Sequence, residues 1–323
     1  MYGGRGRIIT TEVLIGSILI ALIMTVGTFI MVEPIVSTGD YGICLPSPNN
    51  WHIPSFLSWF LSVAIVAGTA FLAYLSNKKY NLIPTTEPLL PVTIILLLAC
   101  NALITVRLGT PVIMMAVNAI CLYILFETYE KFNSTQEFFF LATFLSFGSM
   151  VEYSFLMMIP VYIVGGVLMK SLRWREIIAF LFGIIAPYWI LVGLGVISIF
   201  NFKLPASTEL TTQLELNPNL YTSLISVGFA GLLALVASLY NSYLLLNGNS
   251  RIRCMHLAIS ILGYICLLFM IADFNNIMAY SGTIYLWCAL EVASLFGSGN
   301  FRNSWIWLLS FVIIFFILYT IML

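Results

Sequence analysis

The stretch "VLIGSILIALIMTVGTFIMVEPIV", residues 13–36, decides the fold class, because its first charged residue is Glu33. A helix needs about 20 apolar residues to cross the hydrocarbon core of a bilayer. The whole chain is 61% hydrophobic and only 8% charged, whereas soluble domains carry about 25% charged residues. The other apolar runs are also continuous, which disfavours the short alternating strands of a β-barrel. The sequence therefore predicts an all-α, polytopic transmembrane helical bundle.

Eleven apolar runs, including this one, follow one another along the chain. The polar segments between them are too short for a separate soluble domain, so residues 1–323 are expected to form a single integral-membrane domain. The fifth and sixth runs are short enough to form either two spans or one re-entrant segment. The predicted spans are 13–36, 57–75, 88–106, 111–126, 137–150, 153–169, 176–200, 221–246, 256–272, 277–297 and 304–322.

The distribution of basic residues predicts the orientation. Arg5 and Arg7 precede the first run, which is too long for a cleaved signal peptide, so the positive-inside rule places the N-terminus in the cytoplasm. With alternating spans the C-terminus is periplasmic, and only Arg107 and Lys203 depart from the rule. With no organelle signal, we expect a multi-pass protein of the bacterial inner membrane. The other basic residues fall inside: Lys78, Lys79, Lys131, Lys170, Arg173, Arg175, Arg251, Arg253 and Arg302.

Motifs for metal or nucleotide binding are not found in the sequence. It contains no CxxC, HExxH, Walker A or Rossmann glycine pattern. His52 and His256 fall on opposite predicted sides of the membrane, so they cannot share a metal ion. We therefore expect no metal, no cofactor and no nucleic-acid partner.

Ionisable residues gather at the predicted outer interface, where charge is costly and marks functional sites. One hypothesis is an outward-facing polar site in which Asp40 and Glu33 act as acid or base and Arg107 binds an anionic phosphate. The alternative is that turns are simply polar and that Arg107 pairs with Glu152 or Asp273. The candidate catalytic residues are Asp40 and Glu33; the candidate substrate-binding residues are Arg107, Glu152, Asp273 and His52.

The first outer loop, "TGDYGICLPSPNNWHIPSF" (residues 38–56), is rich in proline but also carries apolar side chains. Its prolines reduce the entropy that is lost on ordering. We expect the loop to fold back over the outer mouth of the bundle and to bring Asp40 towards Arg107, Glu152 and Asp273. The simpler alternative is a hairpin cap over the helix ends.

Glu291 lies within "GTIYLWCALEVASLF" and falls inside the hydrocarbon. In lipid its carboxyl group must be protonated or paired with a polar neighbour such as Asn101. The residue is either part of a buried structural hydrogen bond or one member of a proton or cation relay.

Residues 137–190 carry a pattern that is similar to known membrane proteins. The stretch "EFFFLATFLSFGSMVEYSFLMMIPVYIVGGVLM" is followed by "KSLRWRE" and "IIAFLFGIIAPYW". This pattern resembles an uncharacterised family of polytopic inner-membrane proteins of Bacteroidota. More distantly it resembles the middle helices of GT-C-type glycosyltransferases and polysaccharide polymerases. That likeness implies a lipid-phosphate-linked sugar as substrate, with Asp40 at the place of their first-loop acidic residue. The chain departs from them in offering one carboxylate there and no large outer domain.

Three functions follow as hypotheses. The first is an envelope-glycan enzyme or polymerase that acts on a lipid-linked glycan at the outer interface. The second is a transporter or lipid-handling permease that depends on Glu291 and Glu152. The third is a non-catalytic subunit of an envelope assembly. The expected partners are membrane lipid, a lipid-linked sugar for the first function and other membrane proteins for the third.

Overall fold

The computed structural model describes residues 11–31, 42–83, 89–197, 218–245, 249–273, 276–297 and 313–320. Within these ranges the regular structure is helical and contains no strand, which confirms the all-α prediction. Short 3-10 helices cover Pro48–Asn50 and Tyr153–Met158, and residues 313–320 are also helical. The other helices are α1 Thr11–Met31, α2 Ser55–Tyr80, α3 Leu89–Ala99, α4 Ala102–Thr105, α5 Thr110–Glu127, α6 Thr135–Val151, α7 Ile159–Leu168, α8 Trp174–Gly193, α9 Pro218–Leu244, α10 Ser250–Ala272 and α11 Ile277–Gly297.

Six helical segments in the described part of the chain are long and apolar enough to cross a membrane. Each predicted span overlaps a helix of the structure, while the number that cross a bilayer stays a prediction. Two shorter apolar helical segments, Leu89–Ala99 and Tyr153–Leu168, accompany the six. The six segments are Leu14–Met31, Ser55–Tyr80, Thr110–Glu127, Trp174–Gly193, Tyr221–Leu244 and Ser250–Ala272.

Helix α11 is the centre of the bundle, and it packs against α3, α5, α9 and α10. Nearly all of its side chains are buried, including Tyr280, Tyr285 and Trp287. Small residues allow this close packing, because a Cβ atom at Gly282 would overlap the carbonyl oxygen of Pro111. Since neighbouring helices shield α11 from the surroundings, it can carry polar side chains that a lipid-facing helix could not.

Helix α8 packs along α6, and polar side chains of α6 support it around a proline. Pro187 lacks the N–H that would otherwise bond the carbonyl group of Gly183. The Thr143 hydroxyl lies 3.4 Å from that carbonyl oxygen, and the Ser146 hydroxyl donates to the carbonyl of Ile184 at 2.7 Å. Neighbouring hydroxyl groups of this kind allow proline within an apolar helix.

One end of the bundle collects the basic residues, and we call it the basic end. Here α2 and α5 end and α10 begins, and the loops after α5 and α7 meet through a 2.9 Å bond from the Glu130 amide to the Met169 carbonyl. The Tyr129 hydroxyl lies 3.4 Å from that of Ser250, which brings the start of α10 to the same place. Except for Arg107, the basic residues in the described ranges lie at this end: Lys78, Lys79, Lys131, Lys170, Arg173, Arg175, Arg251 and Arg253.

Candidate functional site

Glu152 is buried at the opposite end of the bundle, where α6 gives way to the 3-10 helix Tyr153–Met158. Its backbone is extended and its side chain is 2% exposed. The hydroxyl groups of Ser47 and Thr110 each lie 3.4 Å from its Oε2 atom. The carboxylate therefore joins the first loop to the start of α5.

Asp273 follows α10 and receives two tyrosine hydroxyl groups. Tyr153 donates to Oδ1 at 2.6 Å and Tyr280 donates to Oδ2 at 3.1 Å. Because Tyr153 is the next residue after Glu152, the two carboxylates belong to one group of side chains. We call this group the carboxylate cluster: Glu152, Asp273, Ser47, Thr110, Tyr153 and Tyr280.

The described part of the first loop, residues 42–54, folds back onto the bundle. The backbone amides of Cys44 and Leu45 donate to the carbonyl of Met150 at 3.2 and 2.9 Å. Arg107 donates to the carbonyl of Trp51 at 3.0 Å. These contacts support the expectation that the loop covers this end of the bundle, while Asp40 lies outside the described residues.

The predicted site residues do not all lie together in the structure. Glu33, like Asp40, lies outside the described residues, and His52 is exposed in the loop. Glu152 and Asp273 come together, but Arg107 forms no ion pair with either of them among the described residues. The alternative in which Arg107 pairs with Glu152 or Asp273 is not seen among the described residues: the guanidinium group bonds a loop carbonyl, and hydroxyl groups contact the two acids.

A second polar group surrounds Glu291, whose side chain is fully buried in α11. The Asn241 side-chain amide, on α9, donates to Oε2 at 2.8 Å and to the Glu291 carbonyl at 2.9 Å. Ser260, on α10, donates to Oε1 at 2.8 Å and accepts a 2.7 Å bond from Ser238. We call Glu291, Asn241, Ser260 and Ser238 the Glu291 cluster. Its donors to the carboxyl group are neutral.

Asn101 is not the partner of Glu291, so that expected pairing is wrong. Asn101 donates instead to Ser223 at 3.2 Å and to Tyr285 at 3.1 Å. Tyr285 precedes Glu291 by about 9 Å along α11, at about 1.5 Å per helical residue. The predicted span 88–106 is interrupted at the same place, since Asn101 lies between α3 and α4.

His256 extends the Glu291 cluster towards the basic end. Its imidazole is 5% exposed, and Nε2 lies 3.1 Å from the carbonyl oxygen of Leu82 and 3.4 Å from the hydroxyl of Ser294. Its backbone carbonyl lies 2.9 Å from the Ser260 hydroxyl, which donates its single proton either to this carbonyl or to Glu291. Nδ1 is buried without a hydrogen-bond partner among the described residues. A protonatable ring therefore lies one helical turn from the serine that contacts Glu291.

Sequence reasoning missed several of these residues, namely Ser47, Thr110, Tyr153, Asn241, Ser260 and the role of His256. The available signal was a polar residue inside an apolar run, which applies to Asn241 and Ser260. The described residues hold no group of three or more His, Cys, Asp and Glu side chains placed to bind a metal ion.

No protein-family model, no curated protein and no solved structure matches this chain. The chemistry of its own side chains is therefore the basis for assigning a function.

Proposed function

We propose that the protein is a multi-pass permease that exchanges protons for a small cationic solute, with Glu291 as the proton-carrying residue. The observation that carries this proposal is the fully buried Glu291 carboxyl group, bonded by neutral donors from two neighbouring helices. Helix association alone needs only neutral polar side chains. An ionisable residue within the membrane is costly, and in bundles such residues mark ion or proton pathways.

The charges of the two clusters favour a cation over an anion. Glu152, Asp273 and Glu291 are acidic, and their side-chain donors are hydroxyl and amide groups. A phosphate group would be repelled by such carboxylates, whereas a proton or an ammonium group would be attracted. This argument favours the transporter over an enzyme that binds a lipid-linked phosphate.

Polar side chains of α11 lie between the two clusters. Between Tyr280 in the carboxylate cluster and Glu291 lie Thr283, which accepts a 2.9 Å bond from Asn118, and Tyr285. Ser294 and His256 continue the series towards the basic end. From Tyr280 to Ser294 the rise is about 21 Å at about 1.5 Å per residue, a large part of the roughly 30 Å hydrocarbon core.

The orientation belongs to the same proposal. By the positive-inside rule the basic end faces the cytoplasm and the carboxylate cluster faces the periplasm of a bacterial inner membrane. The solute and the proton then move in opposite directions. When the solute enters from the carboxylate cluster, the proton passes outward by way of His256 and Glu291, and in the reverse exchange each moves the other way.

The test uses everted membrane vesicles that contain the protein and an imposed proton gradient, followed with a fluorescent pH-gradient dye. Addition of Na⁺, K⁺ or putrescine should dissipate the gradient through the native protein for at least one of these cations. The Glu291→Gln variant should lose this response at least tenfold, since an amide cannot carry a proton. Glu127→Gln, which alters an acid half exposed at the basic end, is the matched control and should retain it.

If none of the three cations dissipates the gradient, or if Glu291→Gln behaves as the native protein does, the permease proposal is wrong. A non-catalytic subunit would tolerate the Glu291 change and would co-purify with its partner.

One observation favours a glycan enzyme as the second candidate. The loop that leads from Asp40 is tied down beside Glu152 through Ser47 and is bonded by Arg107 at Trp51. This geometry supports the resemblance to GT-C-type glycosyltransferases. An enzyme of this class would make a deletion strain lose a surface glycan and accumulate its lipid-linked precursor, and Asp40→Asn would reproduce that loss.

A further inference from the structure

Tyrosine rings at the basic end hold two cations side by side. The guanidinium carbon of Arg251 lies 5.5 Å from the ring centroid of Tyr80 and 5.7 Å from that of Tyr129. The ammonium group of Lys79 lies 5.2 Å from the Tyr80 centroid and 4.9 Å from that of Tyr123. We call these five residues the tyrosine patch: Lys79, Tyr80, Tyr123, Tyr129 and Arg251. They come from the end of α2, from the last part of α5 and the loop after it, and from the start of α10.

Arg251 differs in its partners from three lysines at this end. Lys79, Lys131 and Lys170 each form an ion pair with a glutamate, respectively Glu127, Glu137 and Glu130. The Arg251 side chain is exposed. Among the described residues, its guanidinium group contacts the faces of two tyrosine rings and no carboxylate. Its N–H groups therefore remain available to an external acceptor, and a guanidinium group matches the oxygen atoms of a phosphate.

The patch lies at the ends of three helical segments that are long and apolar enough to cross a membrane, Ser55–Tyr80, Thr110–Glu127 and Ser250–Ala272. Tyrosine is enriched at this depth, where its ring meets acyl chains and its hydroxyl meets headgroups. The anionic lipids of the cytoplasmic leaflet attract basic side chains in the same layer. The three rings also restrict Arg251 and Lys79, which lowers the entropy cost of binding.

We propose that the tyrosine patch is a binding site for the phosphate headgroup of an anionic phospholipid. Arg251 donates to the phosphate oxygens, and Lys79, whose charge is balanced by Glu127, lies beside it. The acyl chains of the lipid lie along the neighbouring helices. This site stands independently of the permease function, because neither cluster contributes a residue to it.

The experiment measures lipid retention by native mass spectrometry on the full chain purified in mild detergent. Dioleoyl-phosphatidylglycerol is titrated against dioleoyl-phosphatidylcholine. The native protein should bind phosphatidylglycerol preferentially. Arg251→Gln should weaken that binding about tenfold, the effect of losing one charge-assisted hydrogen bond. Lys170→Gln removes a cation already paired with Glu130 and is the matched control, which should bind as the native protein does.

Three results would overturn the site. One is equal binding of the two lipids by the native protein, and another is equal loss in both variants, which would indicate general surface charge. The third is displacement of phosphatidylglycerol by inorganic phosphate at millimolar concentration, which would indicate a site for the free anion. Thermal unfolding of both variants checks that they fold, and Arg251→Lys should bind with intermediate affinity because it keeps the charge.

Discussion

At the scale of single residues, the placement of Glu291 shows how a carboxylic acid is accommodated far from water. Each of its two carboxyl oxygens lies within hydrogen-bond distance of a neutral side chain, Asn241 for one and Ser260 for the other. Burial of a polar group costs several kcal/mol unless it is hydrogen-bonded. The bonds thus explain how the residue is tolerated, and the proposed exchange is what would make use of its proton.

This arrangement predicts that the identity of the replacement at position 291 decides the stability of the protein. Glu291→Gln keeps an acceptor for Ser260 or Asn241 and should lower the free energy of unfolding by at most about 1 kcal/mol. Glu291→Leu removes both side-chain acceptors. The Ser260 hydroxyl can still bond the carbonyl of His256, and one N–H of Asn241 can still bond the backbone carbonyl of residue 291. The other N–H of Asn241 is left buried and unpaired, which should cost about 1–3 kcal/mol. Thermal unfolding in detergent measures the difference. Equal melting temperatures for the two variants would contradict the bonding scheme.

At the scale of helices and loops, the first loop behaves as a packed element. Its amides at Cys44 and Leu45 bond the end of α6, and Ser47 is fully buried against Glu152. Proline at several positions reduces the entropy that such packing removes. The loop therefore connects two helices and also packs against the carboxylate cluster, which it holds in place through Ser47.

Packing of the loop predicts slow and pH-dependent reactivity of Cys44. Partial burial raises the pKa of its thiol above the ordinary value of 9.0, and the thiolate is the species that reacts. Below that pKa the rate of maleimide labelling should rise about tenfold for each pH unit, and it should stay below that of a cysteine placed at the exposed His52 position. Labelling of Cys44 as fast as that control would mean that the loop projects freely.

The sequence predicted the helices better than it predicted the contacts between them. Apolar runs mark helices directly, so the predicted span 277–297 coincides with α11. The rotation of each helix about its axis depends on its neighbours, and this is why Asn101 faces Tyr285 while Glu291 faces Asn241. Likewise, the sequence placed Glu152 in a turn at one end of the bundle. Its position near Asp273, which Tyr153 contacts, depends on how the helices pack.

At the scale of the whole molecule, the two ends of the bundle differ in charge. The basic end carries ion pairs such as Lys170–Glu130 at the surface, where proximity to Lys170 lowers the pKa of Glu130. The opposite end buries Glu152 and contains Arg107 as its basic residue among those described. This asymmetry arises from many separate loops, so an error in one helix boundary does not change it.

The asymmetry predicts the accessibility of cysteines in intact spheroplasts, in a background that lacks Cys44. A cysteine at His52 should react with a membrane-impermeant thiol reagent, because it is exposed at the end predicted to face the periplasm. A cysteine at Lys170, whose side chain is 60% exposed at the basic end, should react only after the cells are lysed. Ser47 would be an unsuitable reporter because it is buried against Glu152. Labelling of the Lys170 position before lysis, with the His52 position protected, would reverse the orientation and place the tyrosine patch in the outer leaflet.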